Sequence, residues 1–102
     1  MKPWMLALLL GLTGGPATAA HHEDLRINSA TELRDWCRDE SQAVLAGRGL
    51  APANWTASYW DQENVLMVRG KWRVADGEVT VDCSVARGAE ARFASVSIQD
   101  AG

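Results

Sequence analysis

The chain has 102 residues, 47% of them hydrophobic and 23% charged, with a formal net charge of −3. That length suits one domain and leaves no room for two. The acidic balance argues against nucleic-acid binding, which needs a basic surface to neutralise phosphate.

Residues 1–19 read as a signal peptide. Lys2 supplies a basic start, Trp4 to Leu12 an apolar run, and Thr13-Gly14-Gly15-Pro16 breaks any helix ahead of small residues. Ala17 and Ala19 satisfy the A-x-A pattern for a cut after Ala19, and Thr18 and Ala20 do so for a cut after Ala20. The apolar run is roughly half of the ~20 residues that a membrane span needs. No cysteine follows it to carry a lipid. These features predict an exported protein, periplasmic or secreted, that is not an integral membrane protein after processing.

Residues 20–28 form a polar, acidic arm, expected to be loose and at most to end in a short extended piece. Its first residues are a candidate metal site. With a cut after Ala19, the Ala20 amine, two backbone amides and the His22 imidazole make the square-planar nitrogen set that suits Cu(II) or Ni(II). With a cut after Ala20, the His21 amine and imidazole clamp one copper ion, with His22 beside them. Neither arrangement is specific, because histidine pairs occur by chance. The sequence implies no other cofactor.

Residues 29–102 make the domain, and it opens on a helix. Ser29-x-x-Glu32 is a capping box that satisfies orphan amides at a helix start. Leu33, Trp36, Cys37, Val44 and Leu45 recur at helical spacing, and Gly47 is the expected stop. Glu40 and Ser41 interrupt this apolar stripe. Glu40 is expected at the stripe's edge, reaching water, with a partly buried acid of raised pKa as the alternative.

Beyond Pro52 the period changes from 3.6 to 2. Asn54 to Trp60, Val65 to Val74, Val79 to Ala86 and Arg92 to Ile98 read as strands. Asp61-Gln62-Glu63-Asn64, Asp76-Gly77 and Arg87-Gly88 supply the turns between them. The prediction is an α+β domain: one N-terminal helix packed on a four-stranded antiparallel meander sheet. In the second strand Leu66, Val68, Gly70, Trp72 and Val74 share one face, in the third Val79, Val81, Cys83 and Val85. Cys37 lies on the helix's apolar stripe and Cys83 on the sheet's apolar face, so a disulfide between them would staple helix to sheet through the core. Exported cysteines without a C-x-x-C pair in this way, with a stabilisation of about 4 kcal/mol in the chain-entropy treatment.

The opposite face of the second strand carries Met67, Arg69, Lys71 and Arg73, a basic stripe on an acidic protein. Trp60 and Phe93 are candidates to flank it. Arginine and aromatic side chains together are what a binding face uses, although any one-sided antiparallel sheet shows alternating polar residues. Glu78 and Asp82 could simply pair with the cations. Trp55 and Trp60 are separated by an odd number of residues, so one of them should be exposed unless the strand bulges. Asn54-Trp55-Thr56 matches a glycosylation sequon, a short pattern of low specificity.

No catalytic motif is present. The two histidines both lie in the arm, so no histidine base sits inside the domain to activate a serine or cysteine. The expected function is therefore a small, exported, non-catalytic binding or interaction protein. Its working residues are Arg69, Lys71, Arg73, Trp60 and Met67. The expected partner is an envelope protein, a glycan or a lipid headgroup. The alternative is a copper- or nickel-binding protein using Ala20, His21 and His22.

Overall fold

The computed structural model of the chain describes residues 25–100. Helix α1 (Ala30–Gly47) is followed by strands β1 (Ala53–Gln62), β2 (Val65–Val74), β3 (Gly77–Ala86) and β4 (Ser95–Asp100), with a 3-10 turn at Ala91–Phe93 before β4. The strands form a single antiparallel sheet in the order β1-β2-β3-β4. Helix α1 packs on one face of it, above β2 with β1 and β3 on either side. The expected α+β architecture is therefore the observed one. The expected signal peptide and the residues Ala20, His21 and His22 lie outside the described residues.

Both helix ends follow from local chemistry. Ser29 is extended at the N-cap, and its Oγ accepts from the Glu32 backbone N–H at 3.2 Å. The return bond goes one residue further out than a capping box predicts: Glu32 Oε1 accepts from the Asn28 N–H at 2.7 Å. At the other end the helix runs through Gly47, and the left-handed residue is Gly49 (φ +84°). The Gly49 N–H donates to Ala46 O at 2.9 Å and the Leu50 N–H to Leu45 O at 3.0 Å, which is the Schellman pattern.

Cys37 and Cys83 are bonded, with an S–S distance of 2.04 Å and their Cα atoms 6.2 Å apart. Both side chains are buried among Leu33, Leu45, Leu66, Val68, Val79, Val81 and Val85. This is the expected staple through the middle of the core.

Ser41 interrupts the helix's apolar stripe for a definite reason. It is completely buried; the Trp72 indole Nε1–H donates to its Oγ at 2.9 Å, and its own hydroxyl donates to Cys37 O at 2.6 Å. A buried indole N–H needs a partner, and a helix serine satisfied by its own backbone four residues back supplies one. Glu40 beside it is half-buried.

On β1, Trp55 leans inward against Trp72, with ring centroids 4.9 Å apart and planes tilted by 43°. It lies directly over Gly70, where a Cβ would run into its six-membered ring. Gly70 is thus the gap in the apolar row of β2 that the tryptophan fills. Register between β1 and β2 shifts between Ala53 and Thr56, at Asn54 with φ +58°, a left-handed conformation that asparagine tolerates better than most residues.

Four local expectations shift. Strand β1 runs on through Asp61 and Gln62, which pair with Leu66 and Val65, so the β1–β2 turn is Glu63-Asn64 alone. The β2–β3 loop is Ala75-Asp76: Gly77 already pairs with Val74, at φ +142°. The fourth strand begins at Ser95, not Arg92, because Phe93 N–H bonds to Glu90 O and Ala94 N–H to Ala91 O, each at 2.9 Å, coiling that stretch into the 3-10 turn. The end of the arm is an extended piece, and it is part of the core. Ile27 is fully buried. Its N–H donates to Ala89 O at 3.0 Å, Gly88 N–H donates to Ile27 O at 2.7 Å, and Ala91 N–H donates to Leu25 O at 2.7 Å. Arg87 ties this corner together: Nη1 donates to Asn28 O at 3.2 Å and Nη2 to Asp61 Oδ2 at 2.7 Å.

Candidate binding face

Among the described residues one helix packs on one face of the sheet, and no element covers the other. Strand pairing sets out its rows. Met67 stands between Trp60 on β1 and Ser84 on β3; Arg69 between Ser58 and Asp82; Lys71 between Thr56 and Thr80. Arg73 is opposite Glu78 on β3 and Ala53 on β1. Ser95, Ser97 and Gln99 of β4 continue the first three rows. The alternation that buries Val68, Trp72, Val79 and Val81 thereby lifts the basic stripe and its polar neighbours onto one continuous surface.

Four of the five expected binding residues, Arg69, Lys71, Arg73 and Trp60, are exposed, and Met67 is half-buried beside Trp60. Trp60 is 43% exposed, the outcome expected for one of Trp55 and Trp60 from their odd separation. Phe93, in contrast, is carried out of the sheet by the 3-10 turn. It is 66% exposed, and the Arg92 guanidinium lies 5.1 Å from its ring.

The cations are not equivalent. Arg69 Nε donates to Asp82 Oδ1 at 2.7 Å. That hydrogen bond first, and the Coulombic attraction with it, raises the Arg69 pKa above its ordinary value. The guanidinium is therefore a fixed cation oriented by its neighbour, and Asp82 still presents acceptor capacity to solvent. Lys71 and Arg73 make no ion pair among the described residues. Lys71 has a threonine hydroxyl-bearing neighbour on each side. Thr56, Ala57, Ser58, Arg69 and Lys71 bound an open depression of about 370 Å³ between β1 and β2. Donors, hydroxyls and an aromatic plate on a flat surface can hold a ligand by hydrogen bonding, charge and stacking.

The rows of hydroxyl side chains escape a strand-by-strand reading, whereas the expected pairing of an acid of the neighbouring strand with the stripe is met by Asp82 and Arg69. Part of the signal is present: Thr56, Ser58 and Trp60 share parity in β1, so they share a face. A second depression of about 320 Å³ lies at the start of α1, bounded by Leu25, Arg26, Glu32, Asp35, Trp36 and Asp39. Its acids have other duties. Glu32 caps the helix, while Asp35 and Asp39 pair with Arg34 and Arg38, each at 3.0 Å.

Among the described residues no group of three or more His, Cys, Asp or Glu side chains is placed to hold a metal ion. No helix among them is long and apolar enough to cross a membrane. The disulfide is compatible with an oxidising compartment outside the cytosol. Compared with known protein families, curated proteins and solved structures, the chain matches none.

Proposed function

We propose that this protein is a small, exported, non-catalytic binding module whose working surface is the open face of its sheet. One observation carries the reading: Trp60, Met67, Arg69, Lys71 and Arg73 occupy adjacent positions on a surface that no other element covers among the described residues. None of the three cations belongs to the buried core, so their stability role is small. An exposed tryptophan on the same surface as Arg69 and, further along the stripe, Lys71 and Arg73 favours a partner with negative charge and a flat or apolar group to stack. An acidic patch of an envelope protein, an anionic glycan or a lipid headgroup meets that description. The disulfide and the amino-terminal sequence support a site of action in the periplasm or beyond the cell.

The test is capture of a partner from cell-envelope extract by the immobilised protein, compared with a Trp60→Ala/Lys71→Glu variant. Loss of capture with an unchanged circular dichroism spectrum and unfolding midpoint is the expected result. Equal capture by the folded variant would remove the open face as the working surface.

A further inference from the structure

Among the described residues strand β1 is one edge of the sheet, paired with β2 on one side and with no strand on the other. Soluble proteins guard such an edge with lysine, proline, a short strand or a twisting bulge, because its free amides and carbonyls accept another strand. Here the guards are nearly absent. The strand is ten residues long, Ala53 to Gln62, and contains no lysine, arginine or proline. Its bulge is confined to the first residues, and Thr56 to Gln62 keep unbroken register with β2. Its one charged residue, Asp61, is neutralised by Arg87 at 2.7 Å. The opposite edge, β4, has six residues.

From Thr56 to Trp60 the side chains of β1 are graded in size, while Trp55 before them is turned inward against Trp72. Small residues, Thr56, Ala57 and Ser58, are followed by the large aromatics Tyr59 and Trp60, each 43% exposed. An antiparallel copy of the same strand reverses that gradient. Centred on Ser58, the pairing sets Trp60 opposite Thr56 on the open face and Tyr59 opposite Ala57 on the helix face, large against small in both cases. Cross-strand pairs of this kind stabilise a sheet. No unpaired like charges meet at the seam.

We infer that the occupant of this edge is a second copy of the chain, joined β1 to β1 in antiparallel register about Ser58 to make one eight-stranded sheet. The two-fold axis stands perpendicular to the sheet. Both helices then lie on one side, and both basic, tryptophan-bearing faces form a single surface on the other.

Sedimentation equilibrium of the protein as isolated, over micromolar to millimolar concentration, tests this together with two charge variants. Ser58 is exposed, so Ser58→Lys and Ser58→Glu leave the monomer folded, and each sets two like charges against one another at the axis. The wild type is expected to form a dimer, and each variant to weaken it roughly fivefold or more. An equimolar mixture of the two variants is expected to recover association, because only a residue on the axis meets its own counterpart. A monomer at all concentrations overturns the inference. So does a dimer that neither variant weakens, or one whose weakened variants gain nothing from mixing; a different surface then joins the copies.

Discussion

The two faces of this sheet are built from the same four strands, and they are organised by opposite rules. On the covered face, space and hydrogen bonds are closely accounted for. Trp55 fills the gap over Gly70, the Trp72 indole bonds to Ser41, and the disulfide crosses between Val68, Val81 and Val85. On the open face side chains stand in rows, and apart from Arg69 with Asp82 the cations have no ionic partners among the described residues. The difference separates stability from recognition. Substitutions on the covered face should change the unfolding free energy, and those on the open face should change binding alone.

The sharpest way to stress the covered face is to remove the staple. Cys37→Ala with Cys83→Ala opens a loop spanning 46 residues in sequence. It is expected to cost about 4 kcal/mol, read from urea unfolding. A loss below about 1 kcal/mol would mean that packing alone holds helix to sheet. Gly70→Ala comes next. Its Cβ meets the Trp55 ring, so the ring must move. A cost of about 3 kcal/mol is expected, with a change in tryptophan fluorescence. Ser41→Ala leaves the Trp72 Nε1–H buried without a partner and should cost about 2 kcal/mol in the same assay.

Smaller effects mark the open side and its turns. Glu63, in the β1–β2 turn, holds φ +61°. Glu63→Gly relieves that left-handed strain and should gain about 0.5 kcal/mol by thermal unfolding. Lys71→Glu should leave the unfolding midpoint unchanged while weakening partner capture. A large fall in its midpoint would break the division between the two faces.

Much of this molecule can be read residue by residue, and the limits of that reading are specific. The apolar stripe of α1 and the alternation of β2 and β3 are local periodicities, so they name the faces without knowledge of neighbours. Strand β2 runs from Val65 to Val74 in both readings. The Cys37–Cys83 pairing follows, since each cysteine sits on a face already assigned to the core. Ile27 is different. It is a single apolar residue between Arg26 and Asn28, with no period around it, and its burial depends on the β3–β4 connection, far along the chain. The 3-10 turn that displaces the start of β4 is likewise set by hydrogen bonds to the docked arm and to Glu90. The candidate site divides in the same way. Arg69, Lys71 and Arg73 share a face because they alternate within one strand. The hydroxyls and Asp82 join them only through register with β1, β3 and β4.

The amino-acid sequence by itself determined the helix and its N-cap, the succession of strands and turns, the apolar faces of α1, β2 and β3 and the disulfide, because each rests on spacing within a few residues or on two such patterns meeting; the order of the strands in the sheet came from the tertiary structure. Tertiary structure alone decided that Ile27 belongs to the core, that Ser41 serves Trp72, that Gly70 exists to receive Trp55, and that a tryptophan, three cations and rows of hydroxyls make one surface. Those facts join residues tens of positions apart, and only strand register and packing bring such residues within reach of one another.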